Sequence, residues 1–384
     1  MRYLKADRVF NGKEFLADNT VLAIRSNGSL HAILSLDELS NQPVETVEGI
    51  LCPGFINAHC HLELSHLKGL IPERTGLPDF ARHIIIERNA LLSITPREAQ
   101  QEADQYMWEH GTVAVGDISN ADVSFDVKAE SKLHYHTFIE LIGLNPANCS
   151  SIFEKGLSLL GTLNARGLSG SLSPHAPYST SLELIREIAE YNSFQKMPLS
   201  IHNQESEEED KFFMGEPSGF QELFKFLQLD ITWFNAPQMS SLAYYASAIH
   251  DTPCLFVHNT FSKAADIQLA QSDQRYWCFC PGANLYIENT LPDYTLFKSL
   301  KSQICVGTDS LASNHALDVL RECNLILRHS AVFKPEDLLR AITYNNACAL
   351  GLQQRFGSLI PGKYTGLNLL QLRNNQFEFI KKIH

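Results

Sequence analysis

Pro53-Gly-Phe-Ile-Asn-Ala-His59-Cys-His61 is the stretch on which the fold turns: an apolar run that ends in two histidines two residues apart. Side chains alternate along a strand, so His59 and His61 leave its end on the same side and can reach one cation. Similar short apolar runs recur downstream. They are Val113-Ala-Val-Gly-Asp-Ile, His136-Thr-Phe-Ile-Glu-Leu-Ile, Gly170-Ser-Leu-Ser, Pro198-Leu-Ser-Ile-His, Pro253-Cys-Leu-Phe-Val-His, Tyr276-Trp-Cys-Phe-Cys and Gln303-Ile-Cys-Val-Gly-Thr-Asp. With the run entering His59 they make eight, and helical stretches lie between them. Thr95-Pro-Arg-Glu98 is a capping box with proline at the first helical position, and Gly111 closes that helix. Thr180-Ser-Leu-Glu183 opens another. Eight strands alternating with helices predict a (β/α)8 TIM-type barrel in the α/β class.

Outward from the barrel, both ends of the chain turn β-rich. Val21-Leu-Ala-Ile-Arg, the turn Ser26-Asn-Gly-Ser and Leu30-His-Ala-Ile-Leu form a hairpin pattern, and Leu367-Asn-Leu-Leu-Gln-Leu is a strand near the other end. The expected organisation is a small β-sandwich domain from residues 1–50 plus 353–384, around a catalytic barrel over 51–352. The 384 residues, 44% hydrophobic and 19% charged, suffice for a large core. A net charge of −12 with no basic run argues against nucleic acid or a polyanionic surface as partner. Nine scattered cysteines make no disulfide framework. The first twenty residues have no signal-type apolar core, and runs such as Ile84-Ile85-Ile86 are too short to span a bilayer. The expectation is a cytoplasmic protein with no membrane partner.

A barrel collects its chemistry at the C-terminal ends of its strands. His59, His61, His175, His202, His258 and Asp309 each follow a short apolar run. His83, His110, His134 and His250 lie in helices or before strands and are expected to be structural or surface residues. Three imidazoles and one carboxylate suit Zn²⁺, or Fe²⁺. Asp309 could instead cap the segment that follows it.

These stretches, with Ser173-Pro-His-Ala-Pro-Tyr, His202-Asn-Gln-Glu205 and Gly307-Thr-Asp-Ser, resemble the amidohydrolase superfamily. The likeness is greatest to the branch that holds S-adenosylhomocysteine, aminodeoxyfutalosine and guanine deaminases and triazine hydrolases, and it runs over nearly the whole chain. It implies that His59, His61, His202 and Asp309 hold one divalent metal ion per chain, with His258 beside it on the attacking water or the substrate. Cys60 stands where the branch often has threonine, and strand alternation turns it away from the metal into packing. His175 stands at the fourth strand end where two-metal relatives carry a modified lysine, which favours one metal. The loop Cys280-Pro-Gly-Ala-Asn284 lacks the larger polar residue that relatives show near Gly282 or Ala283.

Hydrolytic deamination needs a group that gives a proton to a ring nitrogen and another to the leaving amine. Glu205, in His-x-x-Glu spacing, is the candidate, as the resemblance also implies; Glu207 to Asp210 form an acidic helix start. Asp309 can take the first proton from water, and His258 can steady the developing oxyanion. His175 is either a substrate contact or a loop-shaping residue. Glu63 either meets a ribose hydroxyl or supports a ligating histidine. His61-Leu-Glu-Leu-Ser, Gly76-Leu-Pro-Asp-Phe and Arg88 are similar to the aminodeoxyfutalosine deaminase group. The zinc deaminases with His-x-Glu and Pro-Cys-x-x-Cys are excluded, because Val257 stands where the second cysteine is needed. The expected activity is deamination of an adenine-type nucleoside such as aminodeoxyfutalosine. Its rivals are cleavage of another C–N or a C–Cl bond at the same site and, further off, a non-catalytic metal-binding scaffold. The expected partner is a small-molecule substrate; the resemblance, whose members are often dimers, implies a homodimer, for which the sequence itself shows no interface.

Overall fold

The strands in the middle of the chain are buried on both faces, which is why they read as unbroken apolar runs and not as alternating ones. A computed structural model describes residues 1–39, 42–88, 94–249, 252–363 and 365–383. His250 lies outside the described residues. Strands β1 (Arg2–Val9), β2 (Thr20–Ile24), β3 (Leu30–Ser35) and β4 (Glu45–Pro53) lead into β5 (Phe55–Cys60). Then come β6 (Thr112–Ser119), β7 (His134–Leu141), β8 (Ser169–Pro174), β9 (Leu199–Asn203), β10 (Cys254–His258), β11 (Arg275–Phe279) and β12 (Ile304–Val306), with β13 (Leu367–Arg373) and β14 (Gln376–Lys382) at the end. All eight runs named from the sequence are strands.

The fold is α/β and of TIM-barrel type. β5 to β8 form one parallel sheet in chain order, and β9 to β12 form a second. The sheets approach along two seams. The His202 N–H donates to the His175 carbonyl at 2.9 Å, and the Thr308 and Asp309 N–H groups donate to the His59 carbonyl at 3.0 and 3.1 Å. Gly307 makes the second seam possible, since a Cβ there would lie 2.8 Å from His59 Cβ.

Strands from both ends of the chain share one six-stranded sheet, ordered β14-β13-β4-β1-β2-β3. The expected two-layer sandwich is therefore a single sheet, because β4 hydrogen-bonds to β1 on one edge and to β13 on the other. Thr95 caps the helix Pro96–Glu109 with a full capping box, as its sequence requires. The helix Leu182–Gln195 starts one residue later than its sequence suggests. Ser181 accepts the Leu184 N–H and is the cap, while the Thr180 hydroxyl donates to the Leu141 carbonyl at 3.3 Å. Glu207–Met214 is the acidic-start helix, with Ser206 as its cap. Among the described residues no helix is long and apolar enough to cross a membrane.

Candidate active site

Several strands end in a backbone turn that only the surrounding structure can hold. Gln204, His258, Asn259 and Asp309 have φ of 46°, 75°, 58° and 57°. Non-glycine residues in this region cost about 1–3 kcal/mol each, and they persist where neighbours over-determine them. Here Asn203 Nδ2 donates to Asn259 Oδ1 at 3.0 Å, and Asn259 Nδ2 donates to the Phe256 and Cys278 carbonyls. The turns direct His258, Asp309 and their neighbours into one cavity of about 540 Å³.

His61 Nε2 lies 3.1 Å from His59 Nε2, 3.3 Å from His202 Nε2 and 3.3 Å from Asp309 Oδ1. His59 Nε2 is 3.4 Å from Asp309 Oδ1. The His202 Nδ1–H donates to the His175 carbonyl at 2.8 Å, which leaves Nε2 as a bare lone pair. One N–H···N bond could satisfy one imidazole pair, but the third nitrogen and the carboxylate still point at the same spot. Tetrahedral ligands bound at about 2.0–2.1 Å stand about 3.3–3.4 Å apart, so the donor set fits a small divalent cation. The protonation states agree. Burial pushes His61 down to about 3 and His175 and His258 down to about 4, and it holds His202 well below the usual imidazole range. These rings are neutral donors. Burial alone would raise Asp309, but its hydrogen bond with His59 and the neighbouring imidazoles keep it well below an ordinary carboxylate. The Ser313 hydroxyl donates to Asp309 Oδ2.

His258 belongs to the same cluster, its donor atom within 4.8 Å of those of His59, His202 and Asp309. Its Nδ1–H donates to Asn284 Oδ1 at 2.8 Å, so the bare Nε2 faces Glu205 Oε1 at 3.5 Å. Glu205 is buried. That burial, and then the charges of Asp309, Glu288 and Glu209, push its carboxyl well up. A carboxyl pushed up in this way holds its proton more tightly than an exposed one and is suited to donate it.

His175 lines the cavity, with Nδ1 2.5 Å from Ser179 Oγ. Glu63 is 3% exposed and is not among the residues lining the cavity; its Oε2 accepts the Asn120 N–H at 3.2 Å and its Oε1 is 3.9 Å from Arg88. Cys60 is buried among Leu62, Met107 and Val115. Gly282 is small for a reason. A Cβ there would lie 2.6 Å from both the Asn314 and the Glu322 side chains. Glu322 is fully buried and accepts the Gly282 N–H at 2.7 Å and Asn314 Nδ2–H at 2.9 Å; the stretch Cys280 to Asn284, expected as a loop, is the start of the helix Pro281–Ile287, and Glu322 ties it to the segment after Asp309.

Four residues at or behind the cavity wall have no role in the sequence expectations: Asn120, Glu140, Glu322 and Asn284, the last named only as the end of the stretch from Cys280. Asn120 and Glu140 did carry a signal. Glu140 is the one carboxylate inside the run His136 to Ile142, and Asn120 directly follows β6. Asn284 and Glu322 carried none, for each sits in an ordinary helix.

The profile of the amidohydrolase family matches residues 50–383. The chain belongs to the amidohydrolase family. As a member it is a hydrolase acting on C–N bonds. It is 24% identical over 384 residues to the aminodeoxyfutalosine deaminase of a Nitratiruptor species, covering 97% of this chain and 92% of that relative. Its fold superposes on the crystal structure of Helicobacter pylori aminofutalosine deaminase in complex with methylthio-coformycin, with a TM-score of 0.84, 22% identity and full coverage of both chains. It also matches an adenosine deaminase from Xanthomonas campestris with bound zinc, with a TM-score of 0.75 and 23% identity over 97% of this chain and 85% of that one. In this amidohydrolase the buried His/Asp cluster is the metal-binding centre.

Proposed function

We propose that this amidohydrolase deaminates an adenine-type nucleoside by hydrolysis, with aminodeoxyfutalosine as the preferred candidate. The observation that carries the proposal is the pairing of buried Glu205 with the bare Nε2 of His258, 3.5 Å apart, directly beside the converged donors. An inner polar end for the heterocycle and an outer wall of Leu77, Phe80, Ile84 and Phe224 for an apolar substituent support a nucleoside larger than adenosine.

His59, His61, His202 and Asp309 are the proposed ligands, and three nitrogens with one carboxylate favour one Zn²⁺ per chain, with Fe²⁺ as the other choice. The bound ion would supply a water ionised near neutral pH. Asp309 holds the water's proton, and Glu205 gives its own proton to the ring nitrogen beside the carbon under attack. Glu205, now a carboxylate, takes up the proton of the added hydroxyl as the carbonyl forms and hands it to the departing amine, and the proton on Asp309 restores Glu205. Overall a C–N bond is exchanged for C–O, and ammonia leaves. His258, locked by Asn284, turns Nε2 toward the reacting centre. His175 forms part of the proposed substrate wall, and Glu63 acts on it through Asn120.

The two seams support a closed (β/α)8 barrel over residues 51–352, with 1–50 and 353–384 as the smaller domain. Nine unpaired cysteines support a reducing, cytoplasmic setting. A homodimer, carried over from the resemblance, is checked by light scattering.

The test is ammonia release by metal-analysed enzyme on 5′-substituted adenine nucleosides, adenosine, guanine and triazines. The expected result is ammonia from an adenine nucleoside with about one metal ion per chain. Silence across the panel with the metal in place overturns the proposal in favour of an amide or halide hydrolase.

A further inference from the structure

Two carboxylates flank the metal-binding cluster. Glu205 stands on the His258 side, and Glu140 on the side of His175, in a group with His175 and His202 whose donor atoms lie within 4.8 Å of one another. Glu140 is next to last in β7, is 5% exposed and lines the cavity. Its Oε2 accepts Asn120 Nδ2–H at 2.8 Å, and the same amide is 3.2 Å from the Glu140 carbonyl. The Asn120 backbone N–H is in turn held by Glu63 Oε2 at 3.2 Å. One oxygen of Glu140 is therefore fixed by a relay that begins at Glu63.

Among the described residues the other oxygen has no such partner. The nearest imidazole nitrogen is His202 Nδ1 at 3.6 Å, and its proton is already given to the His175 carbonyl at 2.8 Å. The cation on this wall, Arg88, is directed to Glu63. A carboxylate offers about four acceptor sites, and those of this oxygen open into the cavity that Glu140 lines. The missing donors have to come from whatever fills the cavity.

We infer that Glu140 is a specificity-determining residue that accepts hydrogen bonds from two neighbouring hydroxyls of the substrate, the vicinal diol of a ribose. The inference rests on the deaminase proposal, since a heterocycle reacting at Glu205 leaves its sugar to extend along the His175 side. A neutral diol supplies two donors without a charge. A phosphate or carboxylate at that position would offer acceptors where Glu140 needs donors, and would bind poorly. Glu63 and Asn120 are positioning residues in this scheme.

The experiment compares adenosine, 2′,3′-dideoxyadenosine and adenosine 3′-phosphate on the metal-loaded native enzyme and on Glu140→Gln. The native enzyme is expected to prefer the diol by about a hundredfold or more in kcat/KM, chiefly through KM, because a site built to bind a hydroxyl rejects the analogue lacking it. It should turn over the 3′-phosphate more poorly still. Glu140→Gln should lose most of the preference for the diol, act on the dideoxy compound within about twofold of the native enzyme, and keep its metal. Equal losses on both nucleosides, or loss of metal, would make Glu140 a support for His202 and overturn the inference. So would a native enzyme indifferent to the diol, a result that stands even if the variant does not fold. Ammonia from guanine or a triazine, with none from any nucleoside, would instead bring down the deaminase proposal and this inference with it.

Discussion

At the inner end of the cavity the polar side chains come from strand ends and are held by a further hydrogen bond. His202 is held by the His175 carbonyl, His258 by Asn284 and Asp309 by Ser313. At the outer end the wall comes largely from the helices Leu77–Glu87 and Gly219–Phe226, whose apolar residues Leu77, Phe80, Leu223 and Phe224 pack in one cluster. Part of that rim stays bare, with Ile142 54% and Leu229 48% exposed. Hydrogen bonds fix orientation to a few tenths of an ångström, whereas apolar burial is non-directional and scales with area. The inner end is thus built to hold one geometry and the outer end to accept a shape. Substitutions should act on turnover at the one and on affinity at the other.

The largest effect should come from Glu205→Gln, which keeps the shape and removes the proton. Turnover should fall by about 10³-fold or more with metal content unchanged by elemental analysis. Full activity would remove Glu205 from the chemistry and leave the contrast without its inner member.

A histidine away from both ends separates acid damage to the fold from acid damage to the site. Burial, and then His134, push His136 down to about 4. Its unfolded value is about 6.5, so between about pH 4 and 6.5 the unfolded chain binds the extra proton. Its contribution is complete above that window, falls as the pH drops through it, and amounts to about 3 kcal/mol. His136→Gln should flatten the pH dependence of the denaturation midpoint there and leave the pH–rate profile unchanged.

Next in size is Asn284→Ala. It frees the His258 ring, and kcat/KM should drop by about 10–100-fold while the thermal midpoint moves by only a few degrees. A midpoint that collapses would make Asn284 part of the fold and not of the site. Smallest should be Ile142→Ser on the rim. KM for nucleosides with an apolar substituent should rise about fivefold, with kcat unchanged and adenosine unaffected.

The same contrast governs what could be read before folding. Strand ends with a histidine or aspartate are visible in the sequence because the apolar run and the polar group are adjacent, and His59, His61, His202, His258 and Asp309 do converge. What escaped depends on meetings across the chain. Asn284 matters because it reaches His258, 26 positions away, and inside its own helix it is unremarked. Glu140 sits within an apolar run, and only the amide of Asn120, from the neighbouring strand end, shows where its oxygens go. The helix cap shifted from Thr180 to Ser181 because Thr180 had a partner in Leu141, which its local sequence does not contain. The terminal sheet was legible as strands but not as one layer, since β4 pairs with strands from opposite ends of the chain.

The second seam sets a timetable. The Asp309 loop is drawn onto β5 by the His59 carbonyl and by Asn57 Oδ1, which accepts the Thr308 N–H across 251 positions of sequence. A chain still being synthesised carries its first two imidazole donors from residue 61 onward, yet the fourth donor arrives only after about four-fifths of the protein has been made. Contacts between residues so far apart in the chain carry a large loop-closure cost and form late, so this corner of the site is completed only once the strands between β5 and Asp309 are in place.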